Sequence, residues 1–224
     1  MLPEATPQLT GSEKHLGYKP IRRTQMKYNE LNLGQIEAII NKLGGIDGVQ
    51  RFLSGEMVVS AATKVWKIWK TIKLGTGPKN ADDFRKAIKQ SGMYIGDWGN
   101  DILGKPAFTA ATEETEVDLV LVTVTDLGFK EGAKRSDIYN RAIELGLQLC
   151  PNEVGPQLRL QYKDQPKGEW LLVGMEPITD SDGDLEVFFV KRSGGGELYL
   201  GGGNGDPDYF WGGGDRFVFV LPRK

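Results

Sequence analysis

The chain of 224 residues has a single cysteine, Cys150, and a single histidine, His15. One cysteine forbids an internal disulfide, and the pair together cannot build a Cys/His zinc site. A histidine-based triad would have to draw its base from the N-terminal stretch around His15. No run approaches the roughly 18 apolar residues of a membrane span. The first 30 residues are polar and charged, without an apolar signal region, so a soluble, cytoplasmic protein with no membrane association is expected. No G-x-y or heptad repeat occurs, and at 39% hydrophobic and 26% charged residues the chain is of globular composition. No glycine-rich segment leads into a helix as a phosphate loop must, and no dinucleotide fingerprint is present.

What is there is unevenly distributed. Residues 1 to 110 hold 16 lysines and arginines against 10 acids, a balance of +6, and residues 111 to 224 hold 12 against 20, a balance of −8. Such a split suggests two halves that attract each other or different partners. Of 30 glycines, ten lie in the last 31 residues, in the triplets 194–196, 201–203 and 212–214 and at Gly205. They bracket β-prone runs at Glu197 to Leu200 and Arg216 to Leu221, which reads as a Gly-rich antiparallel β-meander with the triplets as turns.

Periodicity divides the rest. Residues 1–28 carry three prolines and no period, and read as an extended arm. Leu33, Ile36, Ile39, Ile40 and Leu43 recur at three and four, predicting a helix stopped by Gly44-Gly45, with a second around Asp47 to Ser54. Asn80 predicts a capped helix to Gln90, and Ile95, Trp98, Ile102 and Leu103 a further short one. Val117 to Val124 is a buried-strand run, Ser136 caps a helix closed by Gly146, and strands follow at Leu158 to Tyr162, Trp170 to Met175 and Val187 to Val190. The organisation expected is an arm, a mainly helical basic part over 29–110, and an acidic α+β part over 111–224. The fold class is α+β, a small helical N-terminal part packed on a mainly antiparallel C-terminal sheet.

Several constellations have chemical readings. The hairpin at Leu33 to Ser54 has the outline of a helix-turn-helix, but Ile40 stands where a small residue is needed and the second helix offers only Gln50 and Arg51 as base readers, so a structural hairpin is preferred. Lys64, Lys67, Lys70 and Lys73 alternate with Trp66 and Trp69, either as a basic amphipathic helix or as a strand with core tryptophans. Asp180, Asp182 and Asp184 alternate as Ca²⁺ ligands do, although Asp182-Gly183 between apolar runs is a hairpin turn on its own; weak Ca²⁺ binding is the only cofactor considered. Tyr209 and Trp211, with Phe210 between them, could face sugars, peptides or bases. Cys150 lacks a nearby base and reads as a buried thiol, while Arg141, Glu144, Glu153 and Arg159 surround it in sequence and suggest an internal ion-pair cluster.

The stretches LGQIEAIINKLGGIDGVQRFLSGEMVV (33–59), AIELGLQLCPNEVGPQLRLQY (142–162) and EPITDSDGDLEVFFV (176–190), with the closing Arg216 to Lys224, resemble a group of uncharacterised bacterial proteins. The resemblance implies a bacterial cytoplasmic origin and no activity. The expected function is a non-enzymatic binding or interaction module for a protein partner or a small polar ligand, with Arg141, Glu153, Arg159, Asp180, Tyr209 and Trp211 as candidate contacts. A nucleic-acid binder using the basic half and a carboxylate-based hydrolase are the alternatives.

Overall fold

The computed structural model describes residues 31–58 and 64–223, so the expected arm over 1–28 and His15 lie outside the described residues. The chain divides into two compact units, residues 1–60 and 61–224. In the first, helix α1 (Leu33–Lys42) begins with a reciprocal cap between Asn32 and Gln35, and helix α2 (Gly45–Leu53) follows directly. Gly44 and Gly45 turn the chain at φ +92° and +83°. Gly48, costly in a helix, is needed here: a Cβ would lie 1.6 Å from the Leu43 carbonyl oxygen.

The second unit is built on an eight-stranded sheet. Its strands are β1 (Lys70–Leu74), β2 (Tyr94–Ile95), β3 (Thr115–Thr123), β5 (Trp170–Val173), β6 (Ile178–Thr179), β7 (Leu185–Arg192), β8 (Leu198–Asn204) and β10 (Arg216–Leu221); β4 (Gly132–Lys134) and β9 (Phe210–Gly212) form a separate pair. The spatial order is β1-β3-β10-β5-β7-β8-β2, with β6 on β7. This sheet is mixed rather than mainly antiparallel, because β10 runs parallel to β5, and β2 runs parallel to β8. The final strand returns to the middle of the sheet, between β3 and β5, and not beside its predecessor. The expected meander is therefore absent, as β8 pairs with β7 and β2 while β9 pairs with β4.

Nor are the helices gathered at the N-terminus. Helices α3 (Ala81–Gln90) and α4 (Asp97–Leu103) precede β3, but α5 (Arg135–Glu144) and α6 (Val154–Gln161) lie between later strands. β1 pairs along its length with β3, so residues on both sides of position 110 build one sheet. Lys70 to Leu74 is strand, not helix. Its outer edge is closed by Gln161, whose side chain accepts from the Lys73 N–H and donates to the Lys73 carbonyl. Among the described residues no helix is long and apolar enough to cross a membrane.

Two local expectations reverse. Leu158 to Tyr162 belongs to α6 and its continuation, not to a strand. Pro156 sits in the first turn, where its missing N–H is not needed, and Gly155 lets the helix touch the sheet, since a Cβ would lie 2.6 Å from the Phe188 ring. Alternation misled because Arg159 is buried beside Leu158. The triplet Gly201 to Gly203 is strand rather than turn. Phe189 lies over Gly201 on one face, at 2.2 Å from a hypothetical Cβ, and Trp98 of α4 over Gly202 on the other, at 2.8 Å. Side chains here would push both away, which is why a strand interior tolerates three glycines. Finally, α5 starts from Lys134 and not from a Ser136 cap.

Candidate binding face

Strand alternation sends successive side chains to opposite faces. Phe188 and Gly202 face α6 and α4, so Phe189, Lys191 and Gly201 face the other way. The register then aligns one row across four strands: Tyr94 on β2 pairs with Tyr199 on β8, Tyr199 with Lys191 on β7, and Lys191 with Trp170 on β5. Tyr94 is 53% exposed and Trp170 37%, Phe189 and Tyr199 are half-buried, and Lys191 is exposed. Large aromatic rings left partly in water on a sheet face are the kind of apolar surface that marks recognition sites.

The rings form two chains, one of Tyr94 and Tyr199 and one from Phe189 through Trp170 to Trp211 and Tyr209. Tyr94 and Tyr199 stack at 5.2 Å between centroids, and Phe189 meets Trp170 edge-on at 5.4 Å. Trp170 then contacts Trp211 at 5.8 Å, and Trp211 contacts Tyr209 at 4.8 Å. Three depressions border these rings. The first, about 480 Å³, includes Tyr94, Arg85, Lys89, Asp97 and Asn100 in its lining. The second, about 170 Å³, lies among Phe189, Lys191, Tyr199 and Gly201. The third, about 440 Å³, includes Trp170, Lys167, Glu169, Asp215 and Arg216.

Charges along the row are unequally engaged. Glu169 receives the Tyr162 hydroxyl at 2.8 Å and lies 3.4 Å from Arg216, while Asp215 accepts from the Gly212 N–H. Arg85 is held by Asp82 and by the side chain and carbonyl of Asn100. Among the described residues no carboxylate pairs with Lys89, Lys167 or Lys191.

The sequence-derived candidates fall in several places. Tyr209, 42% exposed, and Trp211, buried, do join the ring chain that runs through Trp170. The other four do not. The supposed ion-pair cluster around Cys150 is not formed: Arg141 pairs with Glu144 at the surface and donates to the Leu127 carbonyl. Glu153 is buried and accepts from the Gly75 and Ala111 N–H groups and from Gln157, stitching two loops to α6. Arg159 is buried against Gln165 and the carbonyls of Tyr162 and Lys191, and burial draws its pKa down to about 10. It braces the strand that carries Lys191 from behind.

Asp180 spends one carboxylate oxygen on the N–H groups of Asp182 and Asp184, each at 2.9 Å, which makes it the organiser of a hairpin tip. Among the described residues no three His, Cys, Asp or Glu side chains are grouped so that they could hold a metal ion, Asp180, Asp182 and Asp184 included. Three of the four lysines of the 64–73 segment are also engaged: Lys64 donates to the Asp126 carbonyl, Lys70 lies 4.6 Å from the Tyr162 ring centroid, and Lys73 pairs with Glu114. Cys150 is buried and donates to the Val218 carbonyl, and burial pushes its thiol pKa far up.

One carboxyl stands apart. Glu186 on β7 is 8% exposed, and its Oε2 has no hydrogen-bond partner. Burial, with Asp180 and Asp184 nearby, pushes its pKa from 4.5 up to about 7. It lines none of the three depressions.

Sequence reasoning missed Tyr94, Trp170, Phe189, Lys191 and Tyr199 as a group. The signal was weak: each is an ordinary strand residue, and only the register sets them in one row. No family model matches the chain, and no curated protein or solved structure matches it either.

Proposed function

We propose that the unit spanning residues 64–223 is a non-enzymatic binding module whose ligand lies across the aromatic row Tyr94-Tyr199-Lys191-Trp170. The observation that carries this reading is a row of exposed rings on one sheet face, with the depression among Phe189, Lys191, Tyr199 and Gly201 at its centre and a further depression at each end, against Tyr94 and against Trp170. A ligand with flat apolar faces and polar edges suits such a surface: the rings supply contact area at little conformational cost, and the flanking charges orient it. The sheet behind them is held by α4 and α6, so the row is rigid before binding.

The reading is tested by titrating the protein with short oligosaccharides, oligonucleotides and peptides while following tryptophan fluorescence. Trp170→Ala and Tyr199→Ala are expected to weaken whichever ligand binds, with circular dichroism checking that each variant remains folded. A ligand bound equally well by both folded variants would overturn the assignment.

A further inference from the structure

Resting on that reading, we infer that the row receives single-stranded nucleic acid, with bases on the rings and phosphates on the lysines. Each depression contains at least one ring and one cation: Tyr94 with Arg85 and Lys89, Tyr199 and Phe189 with Lys191, Trp170 with Lys167 and Arg216. Single strands are bound by this combination of stacking platforms and a positively charged track, with no need for base-specific hydrogen bonds. A ring accepts any base on an open face, and Trp170 and Tyr94 are 37% and 53% exposed, with Tyr94 stacked on Tyr199 along one side.

Spacing fits the same occupant. Trp170 and Tyr199 are two strands apart, about 10 Å, and Lys191 stands between them in the row. Bases on the two rings would bring the linking phosphates over the lysine. Of the cations, Lys89, Lys167 and Lys191 have no carboxylate pair among the described residues, whereas Glu169 and Asp215 already accept hydrogen bonds within the fold. Carboxylates that accept hydrogen bonds keep their charge, but across the three linings Arg85, Lys89, Lys167, Lys191 and Arg216 stand against Asp97, Glu169 and Asp215, a balance of +2, and the ligand it complements is an anion.

Other occupants fit less well. An extended peptide gains affinity from an open strand edge, but Lys191 and Tyr199 at the centre of the row lie on β7 and β8, whose backbones are paired on both sides there. A neutral sugar would leave the free lysines unanswered. A duplex hides its base faces and cannot stack on the rings.

The test uses the full chain and fluorescein-labelled eight-nucleotide oligo-dT and oligo-U, with fluorescence anisotropy at low salt. Binding is expected, with Trp170→Ala and Tyr199→Ala each weakening it by about tenfold or more and Trp170→Phe restoring much of the loss. Lys191→Glu, an exposed change with no packing role, should weaken it as well. With about three phosphates neutralised, a tenfold rise in salt should weaken binding about a hundredfold. A matched duplex should bind more weakly. Two results would overturn the inference: no oligonucleotide binding by the folded protein, or binding that survives Trp170→Ala and Lys191→Glu but is lost on changing Lys64 and Lys67. If a track-dependent oligosaccharide or peptide is found and oligonucleotides fail, the ligand class is wrong while the binding face stands.

Discussion

Replacing Glu186 by glutamine should stabilise the protein at alkaline pH and remove a specific part of its pH dependence. The carboxyl is packed between β6, β8 and α4, near the carboxylates of Asp180 and Asp184, and one of its oxygens has no donor. In the unfolded chain it titrates near 4.5, and in the folded protein near 7. Between these values the folded state holds a proton that the unfolded state has released, so stability falls as pH rises through the window. Below it both states are protonated and the group contributes nothing. Above it the whole cost of a buried, unpaired carboxylate is present.

A displacement of this size corresponds to about 3 kcal/mol at most, since each unit is worth about 1.4 kcal/mol. Water entering from the exposed hairpin tip reduces it, leaving about 1 to 3 kcal/mol. Asp101, Asp118 and Asp126 have pKa values held below the carboxylate range by hydrogen bonds from Ser181, Arg223 and Thr123 respectively. Their stabilisation is lost only as pH falls through acid values, outside this window. Urea unfolding followed by circular dichroism at pH 5, 6, 7 and 8 measures the effect. Wild type should lose stability from pH 5 to 8, and Glu186→Gln should lose less and exceed wild type at pH 8. The single histidine of the sequence is present in both proteins, so it is common to the comparison. Equal slopes for the two proteins would refute the reasoning.

Other perturbations follow from the packing. Gly99→Ala, which in an exposed helix would gain about 1 kcal/mol, should here destabilise, because the new methyl lies 2.8 Å from the Gly201 backbone; a higher melting temperature would contradict this. Glu153→Ala leaves the Gly75 and Ala111 N–H groups without their acceptor and should cost about 2 to 5 kcal/mol, with Glu153→Gln milder. Urea titration separates the two. Cys150 should react with a thiol reagent far more slowly in the native protein than in urea, as its thiol is both buried and held in the protonated form.

Sequence alone determined those elements whose signals are local. The capped helix at Asn80, the α1–α2 hairpin with its glycine turn, the β-branched run of β3 and the Asp182-Gly183 turn each depend on residues within one or two turns of one another. Burial of Cys150 was also legible, because a cysteine between apolar neighbours and without a base has little else to do. Tertiary structure decided the rest, for reasons of long-range contact. Gly201 to Gly203 look like a turn until Phe189 and Trp98 are found occupying the space their side chains would need. Leu158 to Tyr162 alternates like a strand, yet the buried contacts of Arg159 and the approach of Gly155 to Phe188 make it the end of a helix. Glu153 and Arg159 seemed to belong to one charged cluster, but separate backbone groups claimed each of them. The aromatic row exists only through register: Tyr94, Trp170, Lys191 and Tyr199 come from four strands, and a slip of one residue in any strand would send its member to the opposite face of the sheet.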